Sequence, residues 1–189
     1  MCGIIGGITR KNFSSDLLLK TIGHRGPDNN GFFSDGNTFL GHTRLSIQDL
    51  SSKANQPMFS QDKKMVIVFN GEIYNHNEIR LKYLQDIDFV SSGDTETILQ
   101  AYIKYGESCL KFFNGIFAFA IFNFENRELF IVRDHFGVKP LYIYEKDDEF
   151  FFGSEIKSFL EIGIDKTLSI EAIENYLTFL WSPGDLTPF

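Results

Sequence analysis

A cysteine directly follows the initiator methionine in the opening stretch MCGIIGG. Aminopeptidases remove Met1 when the next side chain is small, and the mature chain would then begin with Cys2. One residue would carry a thiol and a free α-amine, with ordinary pKa values of about 8.5 and about 7.7–8. That pairing is a nucleophile with its own base. The competing reading is a small residue buried in an apolar run. Nucleophilic catalysis also needs an oxyanion stabiliser and groups that recognise the substrate. Asn70-Gly71, after the apolar run KMVIVF, offers an amide side chain beside a glycine N–H. The same dipeptide is the strongest short signal for a hairpin turn. Arg44 in GHTRLSI could grip a carboxylate in bidentate fashion, or stand on a strand surface. Asp94 in SSGDTET suits a helix N-cap, and equally a carboxylate facing a substrate ammonium. Glu72 pairs with a cation on one reading and is simply solvated on the other.

The histidines are His24, His42, His76 and His135. A Cys–His pair is a rival catalytic arrangement, although none of them lies in a local cysteine-protease signature. GIIGG lacks the Lys-Ser/Thr of a phosphate-cradling loop, and no Cys/His cluster has zinc spacing. No pyrophosphatase-type Ser-Gly-Gly loop is present either. The chain therefore shows no machinery for activating a carboxylate, and no cofactor or metal is expected in it.

The elements that must position these residues come from a chain of 189 residues, enough for one domain with a sizeable core. Its 43% apolar and 23% charged residues are ordinary globular composition. A net charge of −7 argues against a nucleic-acid surface. No run approaches the ~20 apolar residues of a membrane span, and CGIIGGI lacks the charged flank of a signal peptide. Residue 2 is not glycine, which excludes N-myristoylation. With only Cys2 and Cys109 and no secretion signal, a reducing cytoplasm is expected; Cys109 reads as a core residue. CGIIGGIT, NTFLGHTRLSI and KMVIVF read as strands, the last ending at a turn signal, NGE. HRGPDNNG reads as turn. GIFAFAIFN with ELFIVRD, and PLYIYE with FFFGSE, read as hairpins. SSDLLLKTIGH, HNEIRLKYL, DTETILQAYIKYG, IKSFLE and SIEAIENYLTFL read as helices, with Gly106 suited to a C-terminal cap. Strands and helices alternate without a strict βαβ rhythm. That pattern points to an α+β fold of antiparallel sheets covered by helices.

Read together, MCGIIGGI, HRGPDNNG, GHTRLSIQDLSSKANQPM, VFNGEIYNH, SGDTETIL, FFNGIFAFAIF, RDHFGVKPLYIY and FFGSEIKS follow one another in an order that closely resembles the glutaminase domain of class II glutamine amidotransferases. These are N-terminal-nucleophile hydrolases, and the branch resembled is glutamine-hydrolysing asparagine synthetase. The resemblance runs from Cys2 to about Ser158. It implies a four-layer αββα fold. It implies that Cys2, freed by processing, attacks the glutamine side-chain amide, and that Asn70 and Gly71 form the oxyanion hole. Arg44 would bind the glutamine α-carboxylate, Glu72 and Asp94 its α-ammonium, and Ile47 and Gln48 would border the pocket. RDHFGVKPLY would be structural, near a partner-domain interface. The chain as given carries Met1, and an acylated Cys2 amine could not act as a base. The expected division is residues 1–160 as glutaminase domain and 161–189 as linker and start of a truncated or separate synthetase domain, where ATP and Mg would bind. LWSPGDLTPF resembles more closely the relatives that amidate sugar acids for surface polysaccharides, which makes a sugar acid the alternative to aspartate as ammonia acceptor; the non-enzymatic alternative is a scaffold relic, inactive without its synthetase.

Overall fold

A computed structural model describes residues 1–181, 183, 184 and 187. One antiparallel sheet holds β1 (Gly3–Ile8), β2 (Asn29–Asp35), β3 (Thr38–Arg44), β8 (Tyr142–Lys146) and β9 (Glu149–Gly153), in the order β2-β3-β1-β9-β8. The other holds β4 (Met58–Phe59), β5 (Met65–Ile73), β6 (Gly115–Asn123) and β7 (Glu128–Arg133), in chain order. The helices are α1 (Ser15–Ile22), α2 (His76–Tyr83), α3 (Asp94–Tyr105), α4 (Lys157–Glu161) and α5 (Ile170–Phe179).

Period-two alternation sorts the apolar side chains into three layers. Ile4, Leu40, Val66, Val68, Ala118, Ala120, Phe122 and Phe152 pack between the sheets. Their chain neighbours point outward. Ile5, Phe39 and Phe151 meet Leu18 and Ile22 of α1 and Phe159 of α4. Ile67, Phe69, Phe117, Phe119 and Ile121 meet Ile79 of α2 and Ile98 and Leu99 of α3. The result is helix, sheet, sheet, helix, the four-layer arrangement expected. Fully burying each large side chain contributes about 1.5–3 kcal/mol, so the runs of phenylalanine hold the layers together. Gly6 is required on β1 because a Cβ there would stand 2.4 Å from the Phe152 ring.

Two turn readings are corrected. β5 does not end at NGE: it continues to Ile73, and Asn70 and Gly71 pair with Ala118 and Phe117 of β6. The hairpin reading of Asn-Gly fails because a long partner strand extends the ladder through it. Likewise the NNG end of HRGPDNNG lies in β2, opposite His42, Thr43 and Arg44. Asp94 is not the N-cap of α3; Gly93 is. Cys109 is buried, and burial pushes its thiol up to about 12. α5 starts at a Ser169 cap whose hydroxyl accepts from Ala172 N at 3.2 Å. Of the final SPGDLTPF stretch, Ser182, Asp185, Leu186, Pro188 and Phe189 lie outside the described residues.

Candidate active site

The inward-facing alternation of three strands ends in polar residues at one end of the sandwich. On β1 the series Gly6, Ile4 arrives at Cys2. On β3, Leu40 and His42 are followed by Arg44. On β5, Val66 and Val68 are followed by Asn70 and Glu72. The inter-sheet layer opens here into a cleft of about 110 Å³, lined by Cys2, Arg44, Ile47, Gln48, Asn70, Gly71, Glu72 and Asp94. Every site residue expected from the sequence is brought to one place. No histidine lines it among the described residues, which leaves the Cys–His alternative without a partner for the thiol. His42 instead lies buried in the core, donating from Nε2 to the Phe69 carbonyl at 3.2 Å, and burial lowers its pKa to about 3.

Leu45 brackets the Cys2 thiol. Its N–H donates to Cys2 Sγ at 3.4 Å, and the thiol donates to its carbonyl at 3.6 Å. Arg25 Nε donates to the Cys2 carbonyl at 2.9 Å, and Arg25 Nη1 pairs with Glu155 at 3.0 Å. Burial pushes the thiol pKa up, opposed by the Leu45 hydrogen bond, the N-terminal charge and Arg44. Burial thus favours the neutral thiol over the thiolate.

β5 carries the two candidate oxyanion donors, Asn70 and Gly71. Asn70 is buried, and its Nδ2 has no hydrogen-bond partner among the described residues. An orphaned buried donor costs about 1–3 kcal/mol, a cost that a ligand oxygen would relieve. Hydrogen bonds alternate between the two edges of a strand. On the edge away from β6, Phe69 N–H donates to Gln56 Oε1 at 2.6 Å and Ile73 N–H to Asp94 Oδ2 at 2.9 Å. Gly71 N–H lies between them on that edge. Only glycine fits at 71, since a Cβ would stand 2.3 Å from the Ile116 carbonyl oxygen.

The candidate recognition groups are held by a loop wrapped around Arg44. Arg44 Nη1 donates to Ser51 O at 2.8 Å and Asn55 Oδ1 at 2.7 Å, and Nη2 donates to Asp49 O. Part of its five-donor fork remains for a ligand carboxylate. Asp49 in turn accepts from Ser51 N and from Ser92 N, tying the loop to the start of α3. Gln48 Nε2 donates to Glu72 Oε1 at 3.1 Å, and Ile47 stands exposed at the rim.

Residues 1–189 match the family model described as a glutamine amidotransferase domain. This chain belongs to that family. The amidotransferase domain is 39% identical to a putative glutamine-hydrolysing asparagine synthetase 2 of Methanocaldococcus jannaschii, over 97% of this chain and 40% of that protein. It is 35% identical to asparagine synthetase 1 of Bacillus subtilis, over 99% of this chain and 31% of that protein. The chain thus spans less than half the length of these relatives. Its fold matches the solved glutamine phosphoribosylpyrophosphate amidotransferase of B. subtilis with TM-score 0.71 at 21% identity, covering 86% of this chain and 44% of that one. The fold is that of the N-terminal-nucleophile hydrolases.

The amidotransferase cleft also contains residues the sequence did not single out. Gln56 and Thr95 line it, joined by a 3.2 Å hydrogen bond, and Gln56 fixes the strand edge beside Asn70. Lys139 lines it as well. Both Gln56 and Lys139 sit inside quoted motifs, but only the fold brings them to Cys2.

Asp94 carries a testable electrostatic load. Burial, opposed by backbone hydrogen bonds and reinforced by Glu72, raises its pKa from 3.8 to about 6. The folded state therefore holds this proton more tightly than the unfolded chain. The stabilising effect is complete below about pH 3.8 and is lost as pH rises through about 6. At neutral pH the unliganded domain bears a buried, ionised Asp94. Asp94→Asn keeps an oxygen for Ile73 N–H and removes the charge. Thermal unfolding at pH 7.5 should show the variant more stable by roughly 1–3 kcal/mol, with the gap closing towards pH 4. A gap that does not depend on pH would count against a desolvated carboxylate.

Proposed function

We propose that this chain hydrolyses L-glutamine to glutamate and ammonia through a thioester on Cys2. The observation that carries the reading is the match of charges and donors around one cleft. Glutamine has a carboxamide, a carboxylate and an ammonium. The cleft has a thiol beside the unpaired amide of Asn70, a partly free guanidinium on Arg44, and the Glu72–Asp94 acid pair. Once Met1 is removed, the Cys2 amine takes the thiol proton. The thiolate attacks the carboxamide carbon, and the oxyanion faces Asn70 Nδ2 and Gly71 N–H. The ammonium returns its proton to the leaving nitrogen, ammonia departs, and water, deprotonated by the same amine, cleaves the thioester. Ile47 and Gln48 edge the entrance.

The ammonia is proposed to serve an ATP-dependent synthetase domain or subunit, with ATP and Mg held there and not in this chain. The names of the two relatives favour aspartate over a sugar acid as acceptor. Residues 1–160 would be the glutaminase unit and 161–189 the lead into the synthetase. Leu177, Phe179, Leu180 and Trp181 on or after α5 are exposed apolar residues suited to that contact. Among the described residues no helix is long and apolar enough to cross a membrane, and we place the reaction in the cytoplasm. The test is release of glutamate and ammonia from glutamine by protein whose intact mass shows loss of Met1. Full turnover with Met1 retained would overturn the amine-base mechanism, and no turnover after its removal would overturn the glutaminase reading.

A further inference from the structure

The proposed chemistry makes no use of RDHFGVKPLY, and the fold shows what this motif holds in place. Asp134 Oδ1 accepts from Phe136 N at 3.1 Å and Val138 N at 3.0 Å, while Oδ2 accepts from Phe117 N and Lys139 N, both at 3.1 Å. Arg133 Nε donates to Lys139 O at 2.8 Å. Lys139 is thus clamped at its own N–H and its own carbonyl. Gly137, at φ +61°, makes the left-handed bend between them.

The clamp delivers the Lys139 side chain into the wall of the Cys2 cleft. The residue is 9% exposed, and its Nζ donates to Met1 Sδ at 3.2 Å. No carboxylate among the described residues forms an ion pair with it. A thioether is a weak acceptor, and a buried ammonium is ordinarily paired. Met1 Sδ connects to Cys2 N through the Met1 side chain and carbonyl carbon alone. Removal of Met1 therefore leaves the Lys139 ammonium beside the space into which the new amine is released.

From this placement we infer that Lys139 keeps the freed Cys2 amine unprotonated, as a buried like charge next to the place Met1 vacates. The inference rests on the glutaminase reading. A neighbouring cation disfavours a second positive charge, and only the neutral amine accepts the thiol proton. The other charged groups lining the cleft are Arg44 from β3, Asp49 from the loop after it, Glu72 from β5 and Asp94 from α3, together with the Cys2 thiol itself; Asp49 is engaged by the Ser51 and Ser92 N–H groups and Arg25 by Glu155. Bound glutamine adds one charge of each sign, its carboxylate on Arg44 and its ammonium between the two acids. Lys139 remains the cation lining the cleft that has neither a carboxylate partner among the described residues nor a substrate group to meet. It touches no reacting atom, so it is a positioning residue acting through the amine.

The test is the kcat–pH profile at saturating glutamine, where Asp94 is already paired, for Met1-free wild type, Lys139→Met and Lys139→Arg. The acidic limb of Lys139→Met should move up by about one pH unit, with kcat near pH 6.5 falling roughly tenfold and the alkaline plateau still reached. Lys139→Arg should retain the wild-type limb. A limb that stays in place, with or without a uniform fall in kcat, overturns the inference. NMR titration of the ¹⁵N-labelled Cys2 amine, in wild type and Lys139→Gln, decides the same question without substrate. The amine pKa should be higher in the variant, and equal values overturn the inference. Absence of ammonia release by the wild type, by contrast, counts against the glutaminase reading.

Discussion

Cys2→Ala is expected to bring glutamine hydrolysis down to background, a loss on the order of 10⁴–10⁶ in kcat. Among the described residues lining the cleft the Cys2 thiol is the strongest nucleophile, and no histidine is among them to activate water in its place. The fold should survive. Sγ contributes only long contacts to Leu45, and alanine is as small as the site requires. Cys109 offers no rescue, because its thiol is buried and its pKa is pushed up to about 12. An electrophilic glutamine analogue such as 6-diazo-5-oxo-norleucine should therefore add its mass to a peptide containing Cys2 and leave the Cys109 peptide unchanged. Labelling at Cys109 would reverse the assignment.

The second large effect is expected at Asn70. Asn70→Ala should lower kcat by about 10²–10³, the usual consequence of losing one oxyanion donor, with little change in KM. Stability separates this from a structural role. Asn70 Nδ2 has no partner among the described residues, so deleting it removes a desolvated donor instead of breaking a bond. Thermal melts and steady-state kinetics on one preparation suffice. A variant that melts early but turns over normally would mean that Asn70 holds the sheet and not the oxyanion.

Much of this site is legible in the sequence because strand alternation is local. Once Ile4, Leu40 and Val68 are assigned inward, Cys2, His42, Arg44 and Asn70 must share their face. What was not legible depends on partners far away in the chain. Asn70-Gly71 looks like a turn until β6 is known to run alongside it as far as Gly115. The Asn-rich start of β2 looks like a loop until β3 pairs with it. Gly31 within it has a packing reason, since a Cβ would stand 2.0 Å from the Gln56 carbonyl oxygen. Gln56 and Lys139 gave no local sign of their place because neither lies on a strand that carries a site residue. Each arrives by a loop whose path is fixed by side chains elsewhere, Lys139 by Asp134 and Arg133.

Asn70 and Glu72 stand on one face of β5, separated by two residues of backbone. That separation is about 6.8 Å in an antiparallel strand, and the β6 ladder keeps it from adjusting. On the proposed reading the strand is a ruler between the point where the substrate ammonium would be anchored and the point where its carboxamide oxygen would be met. Glutamine has the reach. Asparagine carries the same functional groups on a side chain one methylene shorter, so on that reading anchoring its ammonium would leave its amide carbon short of both the thiol and the donors. A misplacement of about 1 Å at a reacting centre costs on the order of 10²-fold in rate. For a domain that feeds ammonia to asparagine synthesis, as proposed, the rigid interval on β5 protects the pathway's product from the enzyme's own nucleophile.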